Sequence, residues 1–99
     1  MKQIKQTRSS GNVFADLGFG PHEAENLQLR ARLMAEIQKY IEREEITQAE
    51  AAGRFGVTQP RISNLLRGKI RLFSVDTLIA MLSRAGLTID IRIKRSRAA

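Results

Sequence analysis

The segment TQAEAAGRFGVTQPRISNLLRGK, Thr47 to Lys69, restricts the fold more than any other stretch of the chain. Thr47 with Glu50 three residues on is a T-x-x-E capping box, a helix start in which hydroxyl and carboxylate each satisfy an orphan backbone amide. Thr58 marks a second helix start, with Pro60 in its first turn, where no intrahelical donor is lost. Gly56 between them can adopt the left-handed backbone that ends a helix, and Gly68 closes the second one near Arg67. Helices this short are not stable singly. They must pack on each other, and Ala51, Phe55, Val57, Ile62 and Leu65 supply the inward sides, with small Ala52 where the two cross at a steep angle. Gly53 departs from the pattern, because a glycine inside a helix costs about 1 kcal/mol against alanine. It marks either a close backbone approach or nothing.

The flanks extend this pair into a small helical domain. Gly20-Pro21 reads as a helix start, with Glu23 and Glu25 complementing the dipole. Leu29, Leu33, Ile37, Tyr40 and Ile41 then recur at three- and four-residue steps, one apolar stripe on a long helix reaching about Arg43. Arg30, Arg32, Glu36, Gln38, Lys39 and Glu42 fall largely off that stripe. Behind the central pair, Ser74 caps a further helix, VDTLIAMLSRA, with Leu78, Ile79, Leu82 and Ala85 as its buried face and Gly86 after it.

The two ends are read differently. Met1–Gly20 is irregular, with a possible short strand at Lys2–Thr7. Val13, Phe14, Leu17 and Phe19 are too apolar for a free tail, so they pack on the domain or on a partner. In Thr88–Lys94, Ile89, Ile91 and Ile93 alternate with Asp90, Arg92 and Lys94, the period of a half-buried strand. A lone strand needs a neighbour, either Lys2–Thr7 or the same strand of a second subunit. Arg95–Ala99 is expected to be a basic tail.

Charge is distributed unevenly. Of 17 Lys and Arg and 10 Asp and Glu, the cations and anions of residues 1–49 cancel, and the whole excess of +7 lies in residues 50–99. A polyanion is a natural partner for such a half. At 99 residues the chain is one domain with a modest core. The chain contains no cysteine, which excludes disulfides and thiolate metal sites and suits a reducing, cytoplasmic setting. His22 is the one histidine, expected at an exposed position, so no metal or other cofactor is expected. The carboxylates Asp16, Glu23, Glu25, Glu42, Glu44 and Glu45 suggest no acid–base pair, and there is no glycine-rich phosphate loop, so the chain reads as no enzyme. No apolar run approaches a membrane span, and MKQIKQTRSSGNVF has no secretory apolar core.

The outward side of the helix that begins at Thr58 is left with Gln59, Arg61, Ser63, Asn64 and Arg67. Arg pairs in bidentate fashion with guanine, and Gln or Asn with adenine. Gln59, Arg61 and Asn64 are therefore the expected base readers, clustered toward the end of the helix that would enter a major groove. Gln48 and Thr58 stand at helix starts, where phosphates are held, and Arg67, Lys69 and Arg71 can reach flanking phosphates.

QAEAAGRFGVTQPRISNLLRGK resembles the helix-turn-helix of the Xre, or Cro/CI-like, regulators. The resemblance covers about Ala35–Leu87 and rests on Ala52, Gly56, Ile62, Leu65 and Gly68-Lys69. It departs at Gly53 and at Pro60, which stands where a base-reading side chain is common. It implies a mainly α, lambda-repressor-like bundle with a C-terminal β-strand. Residues 1–20 would form an N-terminal arm, 21–87 the DNA-binding domain, and 88–99 the strand and basic tail. SSGNVFADLGF before the long helix is similar to HigA-like antitoxins. That branch implies a homodimer that represses its own operon from double-stranded DNA and neutralises a RelE/HigB-like toxin. Two other readings stay open: a phage-type Cro/CI-like regulator without a toxin partner, and an adaptor whose basic half binds an acidic protein.

Overall fold

A computed structural model describes residues 11–95. Its helices are α1 (Val13–Asp16), α2 (Pro21–Glu44), α3 (Gln48–Phe55), α4 (Gln59–Leu66) and α5 (Val75–Arg84), with a 3-10 turn at Ile70–Leu72 between α4 and α5. The start signals act as expected. Pro21 opens α2 behind Gly20, Thr47 and Glu50 form both bonds of the capping box on α3, and the Thr58 and Ser74 hydroxyls cap α4 and α5. Gly56 ends α3 with φ +71°, in the left-handed region. The helix ends lie within a residue of those read from the sequence, the usual uncertainty of a fraying last turn.

Four helices enclose the core. Phe55, Phe73, Ile37, Ile62, Leu65, Leu78 and Met81 are the largest fully buried side chains, drawn from α2, α3, α4, α5 and the connection before α5. The stripe on α2 is real but shifted at its start: Ala24, Leu27, Leu33, Met34, Ile37, Tyr40 and Ile41 are buried, whereas Leu29 is exposed. On α5, Leu78 and Leu82 are buried as expected, Met81 joins them, and Ile79 turns outward. The Tyr40 ring meets Phe55 edge to face, with centroids 5.3 Å apart, and this contact binds α2 to α3.

The N-terminal element is more ordered than an irregular segment. Asn12 caps α1, its Oδ1 accepting from the Phe14 and Ala15 amides, while its Nδ2 donates to the Ala24 carbonyl of α2 at 3.0 Å. Phe14 and Phe19 stack edge to face and are half-buried, but Val13 and Leu17 face outward, 56% and 69% exposed. The segment therefore packs on the domain, through α2, and leaves Val13 and Leu17 as an open apolar side.

The C-terminal strand is not formed. Residues 88–95 carry no strand structure, and no strand occurs among the described residues. Alternation determines which side chains share a face, but a strand exists only with a ladder partner. One expected partner, Lys2–Thr7, lies outside the described residues, as does the end of the basic tail. Ile89 rests against the core, while Ile91 and Ile93 are 61% and 88% exposed.

Candidate nucleic-acid interface

The helix expected to read DNA is held at both ends. At its start the Thr58 Oγ1 accepts from the Arg61 amide at 3.3 Å. A hydroxyl has one further lone pair and its own proton, so the cap leaves Thr58 able to donate outward. At its end the Leu65 carbonyl, which accepts from the Gly68 amide at 3.0 Å, also receives the Gln38 Nε2 from α2 at 3.1 Å. Ile62 and Leu65, both fully buried, anchor the inner side. The outer side is thereby fixed in direction.

Gln59 lies exposed on the first turn of α4, and Asn64 is half-buried one turn on. Neither side chain makes a hydrogen bond to another described residue, and the same holds for Gln48, Arg67 and Lys69, all exposed. Gln48 stands at the first position of α3, and Lys69 follows directly on the Gly68 that closes α4. These side chains keep their hydrogen-bonding capacity unused among the described residues.

Two expected contact residues are placed otherwise. The half-buried Arg61 turns along α4 toward its own chain: Nη1 donates to the Leu72 carbonyl at 3.1 Å, and the guanidinium lies 4.5 Å from the centroid of the Phe73 ring. Arg71, though exposed, stands 4.0 Å from the Glu23 carboxylate and 5.8 Å from the Phe19 ring. Arg30 of α2 reaches the Ile70 carbonyl at 3.5 Å. Arg30 and Arg61 thus converge on the 3-10 turn from two helices, while Arg71 of the turn reaches back to the N-terminal part of the chain. No spacing in the sequence signals this convergence, because each contact depends on how α2, α4 and the turn meet in space.

A second support lies behind α3. Arg54 Nη1 donates to the Tyr40 hydroxyl at 2.9 Å and pairs with Glu44 at 3.5 Å. The hydrogen bond to Tyr40, and then Glu44, raise the Arg54 pKa above its ordinary value. Gln38, Tyr40 and Arg30 all read from sequence as stripe or surface residues of a long helix, yet they set where α3, α4 and the turn sit.

Comparison with known proteins agrees with this geometry. Residues 13–94 match a family described as a helix-turn-helix domain. A solved structure named "Putative XRE Family Transcriptional Regulator" is 33% identical, with a TM-score of 0.68 over 76% of this chain and 84% of that one. No curated protein matches the sequence. No helix among the described residues is long and apolar enough to cross a membrane. With its capped helix pair, its turn glycine and an outward polar helix face, this chain belongs to the XRE family of helix-turn-helix, DNA-binding transcriptional regulators.

Proposed function

We propose that the protein is a sequence-specific repressor that seats α4 in the major groove of an operator. Gln59 and Asn64 read base edges. Gln48, Thr58, Arg67, Lys69 and Arg71 hold phosphates. The single observation that carries this reading is the set of exposed or half-exposed amide and cationic side chains around α4 with no side-chain partner among the described residues, on a helix fixed at both ends. Polar groups so placed are available to a duplex at little cost in broken internal bonds. Arg61 differs, since a base contact would require it to leave Leu72 and Phe73.

The repressor acts as a homodimer, because one reading head of this size makes too few contacts for tight specific binding. The apolar side chains of Ile91 and Ile93, exposed beside the cleft between α2 and the C-terminal segment, are the surface it joins through. A twofold dimer would set the two reading helices about 34 Å apart along the duplex. The same chain serves as an antitoxin, with the outward Val13 and Leu17 of the N-terminal element offered to a RelE/HigB-like toxin. Selection of bound duplexes from a random pool, followed by a salt titration, tests the DNA reading. A recovered motif with two half-sites one helical turn apart supports it, and binding without base preference refutes it. Co-purification with the product of the adjacent gene tests the antitoxin reading. A regulator without a toxin would be recovered alone.

A further inference from the structure

The contacts around the 3-10 turn point to a role for Arg61 unlike that of a base reader. We infer that Arg61 is a positioning residue: it ties the turn that carries Lys69 and Arg71 to the reading helix, so that base-reading and phosphate-holding groups meet the duplex as one rigid unit. This rests on the proposed docking of α4 in the groove.

Three observations carry it. The Arg61 guanidinium is used twice within the chain, donating to the Leu72 carbonyl at 3.1 Å and lying 4.5 Å from the Phe73 ring centroid. Phe73 itself has no exposed surface, so the guanidinium closes over the ring of a core residue rather than resting on the outside. The backbone of the turn is bonded mainly at its near end: the Lys69 amide donates to the Asn64 carbonyl of α4 at 3.1 Å and the Ile70 amide to the Gly68 carbonyl at 2.7 Å, with the Leu72 amide to the Lys69 carbonyl and the Phe73 amide to the Ile70 carbonyl beyond them. Its helix is only three residues long. The carbonyls of Ile70 and Leu72 are held from α2 and α4 by Arg30 and Arg61 respectively, and the Arg61 contact is the shorter.

A planar fork that both donates to a carbonyl and stacks on an aromatic face is something arginine does and lysine does not. Lys69 stands between the tied turn and the end of α4, and its exposed ammonium has no partner among the described residues. Lys69 is held on one side by its amide bond to the Asn64 carbonyl of α4 and on the other by the turn, whose far end Arg61 ties down. Without Arg61, Gln59 and Asn64 still present the same edges, but the flanking cations lose their fixed place beside them.

The test uses the full chain and a duplex selected by the wild-type protein from a random pool. Binding is measured for wild type, Arg61→Ala, Lys69→Ala and the double variant, on that duplex, on its single-base variants and across a salt series. Arg61→Ala is expected to weaken all sequences several-fold with the base preferences unchanged. Lys69→Ala is expected to lower the salt slope by about one in the wild type and to change it little in the Arg61→Ala background. Discrimination lost at one base pair alone would show that Arg61 reads a base. Additive losses in slope would show that it meets a phosphate directly. Either result overturns the inference. Hydrogen exchange on the free protein supplies an arm that needs no DNA: the amides of Leu72 and Phe73 should exchange faster in Arg61→Ala while those of Ile62 and Leu65 keep their protection. Unchanged exchange at Leu72 and Phe73 also overturns it. A wild-type protein that selects no duplex would refute the docking of α4 instead, and the exchange arm would still decide whether Arg61 ties the turn.

Discussion

Two glycines of one short helix should respond to alanine in opposite directions. Gly53 lies in the interior of α3, exposed, and a methyl group built there meets nothing within 4 Å. No close approach is made to it among the described residues, so the backbone term decides. Alanine exceeds glycine in a helix interior by about 1 kcal/mol, through the lost freedom of the unfolded chain. For a domain of this size that amounts to a rise in Tm of about 4–8 °C. Gly56, three residues on, has φ +71°, and a methyl group there would overlap the Arg84 side chain. The arginine is exposed and can swing aside, so the left-handed backbone dominates, at a cost of about 1–2 kcal/mol. Gly56→Ala should therefore lower Tm by at least as much as Gly53→Ala raises it. Thermal and urea unfolding followed by circular dichroism measure both. A Gly53→Ala protein no more stable than wild type, or a neutral Gly56→Ala, would refute the reasoning that only conformation separates these positions.

Three further outcomes are expected. Thr58→Ala removes the cap of α4 and should cost about 1 kcal/mol in urea unfolding, with Thr58→Ser restoring most of it. Ile62→Ala empties a fully buried site shared by α4 and the core, and should cost about 2–5 kcal/mol, visible as a large drop in the urea midpoint. Tyr40→Phe keeps the ring against Phe55 but leaves Arg54 without its hydroxyl partner. Because Arg54 stays partly in water, the loss should be small, about 1 kcal/mol or less in the same assay.

The elements whose causes are local were legible from the sequence. Thr47 with Glu50, Thr58 with Pro60, Ser74 and Gly56 each act through atoms a few residues away, and the helices begin and end where those residues place them. What a long helix does with its flanks was less legible. Leu29 fits the stripe on α2 yet is exposed, while Met34 and Met81 complete the core from positions the spacing left unassigned. The strand at Thr88–Lys94 failed for a different reason: alternation is a property of one segment, whereas a ladder is a property of two. For the interface, Gln59 and Asn64 could be placed on the outer side of α4 from helical period alone. The inward turn of Arg61 could not, because it depends on Phe73 and Leu72 arriving from beyond the next glycine.

The unengaged side chains on α4 also bear on how such a regulator changes its target. The side chains of Gln59 and Asn64 make no hydrogen bond to another described residue. Exchanging either for another polar residue disturbs no internal bond and leaves the scaffold as it was. Under the proposed docking of α4, divergence of a duplicated copy toward a new binding site can therefore proceed one nucleotide contact at a time, through intermediates that all fold. Drift at Arg61 or Gln38 has no such freedom, since each donates to a backbone carbonyl on another element, Arg61 to Leu72 and Gln38 to Leu65.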